Sequence, residues 1–119
     1  LGAVHSMSHA IGADQELRLH HGTLNGVILP TILRFNKDHV GDKYARIARA
    51  MGKAESVDLA DEIEKLNETI GLPKGLAEMG ITEDMIPHLV AHSMTDPSNA
   101  TTPRLPSEEE WTKLFMEAM

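Results

Sequence analysis

The sequence predicts an all-α fold, a multi-helix bundle of about six helices, and three observations lead there. Apolar residues recur at helical spacing in segment after segment, no strand-like alternation persists anywhere, and glycines and prolines fall where helices end and begin. At 119 residues the chain is one domain's worth, 1–119, long enough to bury a core.

The first helix covers Leu1 to about Ile11, where Leu1, Val4, Met7, Ser8 and Ile11 make the pattern mainly apolar and small, with hardly any charge before Asp14. Such a helix is expected to be buried. It opens on Leu1 with no Ser, Thr, Asp or Asn to cap its first amides, which predicts that further sequence precedes it. Gly12 and Ala13 then give way to Asp14–Arg18, read as a turn or loop rising to His20 and His21, with Gly22 allowing a close backbone approach.

Thr23–Asn36 is apolar nearly all round and should be a buried helix interrupted by Pro30, which forfeits one hydrogen bond and predicts a kink. After a polar break, Val40, Tyr44, Ile47, Ala48 and Met51 recur at helical spacing up to Gly52, with Lys43, Arg46 and Arg49 as a solvated face. Ser56–Ile70 repeats the scheme on Leu59, Ile63, Leu66 and Ile70, closed by Gly71. A short helix with Pro73 in its first turn and Gly80 as its stop follows, and Pro87 starts a helix running to about Met94. The segment from Thr95 to Pro106 is a turn-rich connector with three prolines. The last helix opens on a capping box, Ser107 with Glu110, and buries Trp111, Leu114 and either Phe115 or Met116.

Composition excludes several functions. A formal net charge of -7 leaves no basic footprint for nucleic acid or an anionic membrane. No cysteine is present, which rules out disulfides, thiolate metal sites and cysteine nucleophiles, and fits a reducing compartment, so a cytoplasmic location is expected. No apolar run reaches the roughly 18 residues that cross a bilayer.

The histidines carry the chemistry. His5 and His9 are four apart, on one helix face a turn from each other, and a histidine returned by a turn, His20 or His21, would gather nitrogen donors around one divalent ion. Spacing alone does not separate a metal pair from two solvated rings. The apolar flanks favour metal, because imidazoles on a buried helix need partners for their nitrogens. Ser6 stands where the zinc-protease helix has its glutamate, which argues against that chemistry. His88 and His92 are also four apart but have polar flanks and read as solvated.

Four blocks in order give the chain a family resemblance. They are Gly2-Ala3-Val4-His5 through His9 to Gly12; His21-Gly22 with LNGVILP and LRFN; KYARIARAMG; and GLPKGLAEMGITEDMIPHLV with the later DPSNATTPR. Together they resemble the C-terminal helical domain of the iron-containing (group III) alcohol dehydrogenases over essentially the whole length. The resemblance implies a single iron(II) or zinc ion held by His5 and His21, with His9 on the same face toward nicotinamide and substrate as a catalytic candidate for proton relay or positioning. It favours His21 over His20 because His21 directly precedes glycine. It further implies reversible hydride transfer between a small alcohol or aldehyde and NAD or NADP. The other two ligands, an Asp and a His four apart, and the N-terminal dinucleotide-binding domain would lie outside this chain. On this reading the isolated chain is inactive, exposes an apolar patch around Val4, Ser8 and Ile11, and forms a homo-oligomer. Retention of both His5 and His21 argues against the metal-free maleylacetate reductase branch. The alternative is a truncated or orphan helical module serving binding or assembly without catalysis.

Overall fold

The computed structural model describes residues 1–13 and 17–119. Among them are six α-helices and no strand: α1 Ala3–Gly12, α2 His21–Asn36, α3 Lys43–Ala50, α4 Leu59–Ile70, α5 Ile86–Met94 and α6 Glu108–Glu117. Asp14, Gln15 and Glu16 of the expected loop lie outside the described residues.

The core forms where α1, α2, α5 and α6 meet. Met7 and Ile11 of α1, Leu24 and Ile28 of α2, Leu89 and Val90 of α5, and Trp111 and Phe115 of α6 are buried in one cluster with Leu76 and Ile81. Large aromatic and aliphatic side chains at helical spacing on converging faces account for this clustering. Phe115 takes the core position and Met116 stays 45% exposed, which decides between the two.

Local chemistry sets most boundaries. Asp58 caps α4 by accepting from the amides of Ala60 and Asp61, so the helix starts at Leu59 and not at Ser56. Gly71 ends it with φ 77°, a left-handed conformation that suits glycine. The capping box of α6 forms with both halves in place.

Pro30 sits within an α2 that continues on both sides of it. The carbonyl its missing N–H leaves behind, that of Gly26, accepts instead from the Asn67 side-chain amide of α4 at 2.8 Å.

Several expectations are corrected by packing. Beyond Ile63 the apolar stripe of α4 faces outward: Leu66 is 45% and Ile70 61% exposed, because the neighbours of α4 cover its N-terminal end, where Leu59 and Ala60 are buried. In α3 only Ala48 is buried, and Val40 is buried ahead of that helix, not within it. Pro73 does not start a helix: a single 3-10 turn forms at Leu76–Met79, preceded by an extended Gly75 that lies against the chain end. The turn-rich connector Thr95–Pro106 is as expected, with Asp96 capping a 3-10 turn over Pro97–Thr101.

Candidate metal centre

Two helices bring three imidazoles together. His5 and His9 stand one turn apart on α1 with ring centres 5.7 Å apart, as their spacing predicts. His21, the first residue of α2, places its ring 5.5 Å from His5 and 5.4 Å from His9, almost parallel to the latter. His20 is committed elsewhere: its Nδ1 accepts from the Thr23 amide as the N-cap of α2. Gly22 serves that cap and not the histidine cluster, because a Cβ there would come 3.1 Å from His20 Cε1. His88 and His92 are exposed on α5, as their flanks suggest.

The cluster is more open than the apolar sequence of α1 predicts. Ala3, Ser6, Met7, Ser8, Ala10 and Ile11 are buried, yet His5 is only half-buried, the His9 side chain is 38% exposed and His21 is exposed. Among the described residues, the rings lie on a face of α1 that its neighbours cover only in part. The predicted patch at Val4, Ser8 and Ile11 is therefore overturned: Ser8 and Ile11 are fully buried and Val4 is half-buried. Beside His5 lies an open apolar hollow of about 500 Å³, whose lining includes Leu1, Val4, Asn25, Leu29 and Ile47.

Hydrogen bonds orient two of the rings. His9 Nδ1 lies 2.9 Å from Oδ2 of Asp96, a side chain only 7% exposed. The other carboxylate oxygen accepts from the Ser98 amide at 2.8 Å. Buried serines and Asn99 tie this turn to α1, with Ser6 Oγ donating to Asn99 Oδ1 at 2.7 Å and Ser93 Oγ donating to the Ser6 carbonyl. His21 Nε2 lies 3.0 Å from the Asn25 amide nitrogen and its Nδ1 3.5 Å from Ser8 Oγ. Among the described residues Asn25 Oδ1 is buried with no partner.

Sequence reasoning missed Asp96 and Asn99. The available signal was Asp followed by Pro, which marks a capped turn but does not say what the free carboxylate oxygen meets.

Electrostatics favour neutral imidazole. Burial lowers the pKa of His5, and the nearby His21 and His9 push the same way. A neutral ring is the ligating form, so the site competes less with protons for an ion. For Asp96, burial pushes the carboxyl up, but the Ser98 and His9 hydrogen bonds outweigh it and the net direction is down.

The donor set fits part of a metal shell. Two imidazoles on one ion, each nitrogen about 2.0–2.1 Å from it, have ring centres roughly 5 Å apart, near the 5.5 Å between His5 and His21. Among the described residues no group of three or more His, Cys, Asp or Glu side chains is arranged to hold an ion unaided. No helix among them is long and apolar enough to cross a membrane.

Known proteins share the sequence pattern and the fold. The model of the Fe-containing alcohol dehydrogenase family, C-terminal part, matches residues 1–119. The chain is 39% identical to the 4-hydroxybutyrate dehydrogenase of Cupriavidus necator, with all of this chain covering 33% of that protein. It is 33% identical to the lactaldehyde reductase of Escherichia coli K12, with 99% of this chain covering 32% of that protein. A crystal structure of 1,3-propanediol oxidoreductase superposes with a TM-score of 0.92 at 29% identity, over all of this chain and 33% of that one. The chain thus spans about a third of the length of the relatives it matches. With the family model matched from end to end and the helical fold shared, this chain belongs to the C-terminal part of the Fe-containing alcohol dehydrogenase family.

Proposed function

We propose that this chain is the metal-binding C-terminal portion of an NAD(P)-linked, iron- or zinc-dependent alcohol dehydrogenase that interconverts a small alcohol with its aldehyde or ketone. The observation that carries the reading is the convergence of His5, His9 and His21 from two helices, in a chain of this family. His5 and His21 would hold one divalent ion through ring nitrogens, and the remaining ligands and the dinucleotide-binding domain would come from outside this chain. Lewis acidity toward the alcohol oxygen, with a nicotinamide as hydride acceptor, is the chemistry supplied to the site from outside these residues.

The chain's own side chains supply geometry and proton handling. Helices α1 and α2 fix the His5–His21 separation, which is rigid because both helices are anchored in the core. His9 stands 5.4 Å from His21, close enough to take up the proton that an alcohol releases as hydride leaves its carbon. The apolar hollow beside His5 offers a surface from which water is readily displaced when it is covered.

Titration of the 119-residue chain with zinc, and anaerobically with iron(II), tests the reading. Affinity should fall in both His5→Ala and His21→Ala by at least the roughly 10–100-fold that loss of an outer partner costs. Binding that is indifferent to both substitutions would overturn it and leave the alternative, a helical module without a metal role.

A further inference from the structure

We propose that Asp96 is a positioning residue for His9, holding its neutral ring as the Nδ1–H tautomer so that Nε2 is a bare proton acceptor beside His5 and His21. The proposal rests on the reading of His9 as the group that takes the substrate proton, and it adds which nitrogen does so and what selects it.

The argument begins with the carboxylate. An ionised carboxylate only accepts hydrogen bonds, so the proton in the 2.9 Å contact between His9 Nδ1 and Asp96 Oδ2 belongs to the imidazole. In a neutral ring that leaves Nε2 without a hydrogen, and no described residue donates to it. Asp96 cannot turn away, because its other oxygen receives the Ser98 amide at 2.8 Å as the cap of the 3-10 turn, and Ser6 Oγ lies 3.5 Å from the same atom. The turn is in turn pinned to its surroundings: Asn99 accepts from Ser6 Oγ and donates to the carbonyl of Ser93 at 2.8 Å. One buried carboxylate therefore does two separable things, capping a turn with Oδ1 and setting a tautomer with Oδ2.

That separation gives a discriminating variant. In Asp96→Asn the side-chain oxygen still caps, since asparagine is as good an N-cap as aspartate. The amide NH₂ then occupies the place of Oδ2 and donates. His9 Nδ1 must accept, its proton moves to Nε2, and the nitrogen facing the cluster becomes a donor that cannot take a proton. The same inversion underlies the effect of replacing the aspartate of a Ser-His-Asp triad by asparagine.

The test is long-range ¹H–¹⁵N correlation NMR on the metal-free 119-residue chain labelled in histidine, well above the ordinary imidazole pKa of about 6.5. The His9 signals are identified by their loss in His9→Gln. Expected is an Nδ1–H pattern in the wild type and exchange of the Nδ1 and Nε2 shifts in Asp96→Asn, with an unchanged thermal midpoint. Asp96→Ala, which loses the cap as well, should melt earlier and lose the tautomer preference. An Nε2–H pattern in the wild type, or one pattern common to wild type and Asp96→Asn, overturns the proposal. Because the readout needs no ion, it stands or falls separately from the metal titration.

Discussion

The side-chain amide of Asn67 donates at 2.8 Å to the carbonyl of Gly26, the acceptor that Pro30 leaves unserved one turn later in α2. The contact turns a helix defect into a link between α2 and α4, and it stiffens the helix that carries His21. Removing the donor strands a carbonyl, which costs about 1–3 kcal/mol. Asn67→Ala should lose that much in urea unfolding, and the loss should shrink when Pro30→Ala restores the helical N–H. Equal losses in both backgrounds would show that the two residues are not coupled through this carbonyl.

Asn25 sets a second expectation, at the site itself. Its amide nitrogen stands 3.0 Å from His21 Nε2, so an ion arriving at that nitrogen must displace the contact. The net worth of such a hydrogen bond, about 0.5–1.5 kcal/mol, corresponds to roughly 2–12-fold in affinity. Zinc should bind Asn25→Ala more tightly by that factor. Equal or weaker binding would indicate that the ion uses Nδ1, on the Ser8 side.

Glycines separate into those that need space and those that do not. A Cβ on Gly75 would overlap the Met119 carbonyl, and backbone cannot give way as a side chain does. Gly75→Ala should cost about 1–3 kcal/mol and loosen the chain end from the amides of Leu76 and Ala77. Among the described residues a Cβ at Gly12 meets nothing within 4 Å, and Gly12→Ala should be neutral or stabilise by up to about 1 kcal/mol. Thermal melts of the two variants give the comparison, and similar midpoints would remove the distinction.

Tyr44 is the only tyrosine, so phenolate absorbance reports it alone. Burial, with the negative Asp58 nearby, pushes its hydroxyl up to about 12, and that hydroxyl donates to the Leu33 carbonyl at 3.0 Å. A raised value means that the folded state favours the neutral form. Its contribution to stability is full below about pH 10, the unfolded value, and is lost as pH rises through about 12. Alkaline titration should show a midpoint near 12 in the native chain and near 10 in denaturant; one common midpoint would refute this.

Asp58 works in the opposite sense. The Lys37 ammonium at 2.8 Å, joined by the amides of Asp61 and Ala60, lowers its carboxyl below the ordinary 3.8 against the effect of burial. Its contribution is present above that value and lost as pH falls through the lowered one. Asp58→Ala should cost about 1 kcal/mol at neutral pH through the lost cap. Asp58→Asn keeps the cap and should flatten the acid limb of stability; an unchanged limb would remove Asp58 as its source.

Much of this molecule is legible from short-range pattern. Helical spacing of apolar residues gives the all-α class, and Gly71, Pro87 and the Ser107–Glu110 box mark the ends of helices where backbone amides and carbonyls need special partners. The i, i+4 spacing puts His5 and His9 on one face, because 3.6 residues per turn does so in any helix. Tertiary structure alone decided which faces meet. It buried Ser8 and Ile11, left Leu66 and Ile70 outside, and brought Asp96 to His9 across 87 positions. Those outcomes depend on how helices stack around a shared core, and a local sequence pattern carries the period of a face but not the identity of the surface it meets.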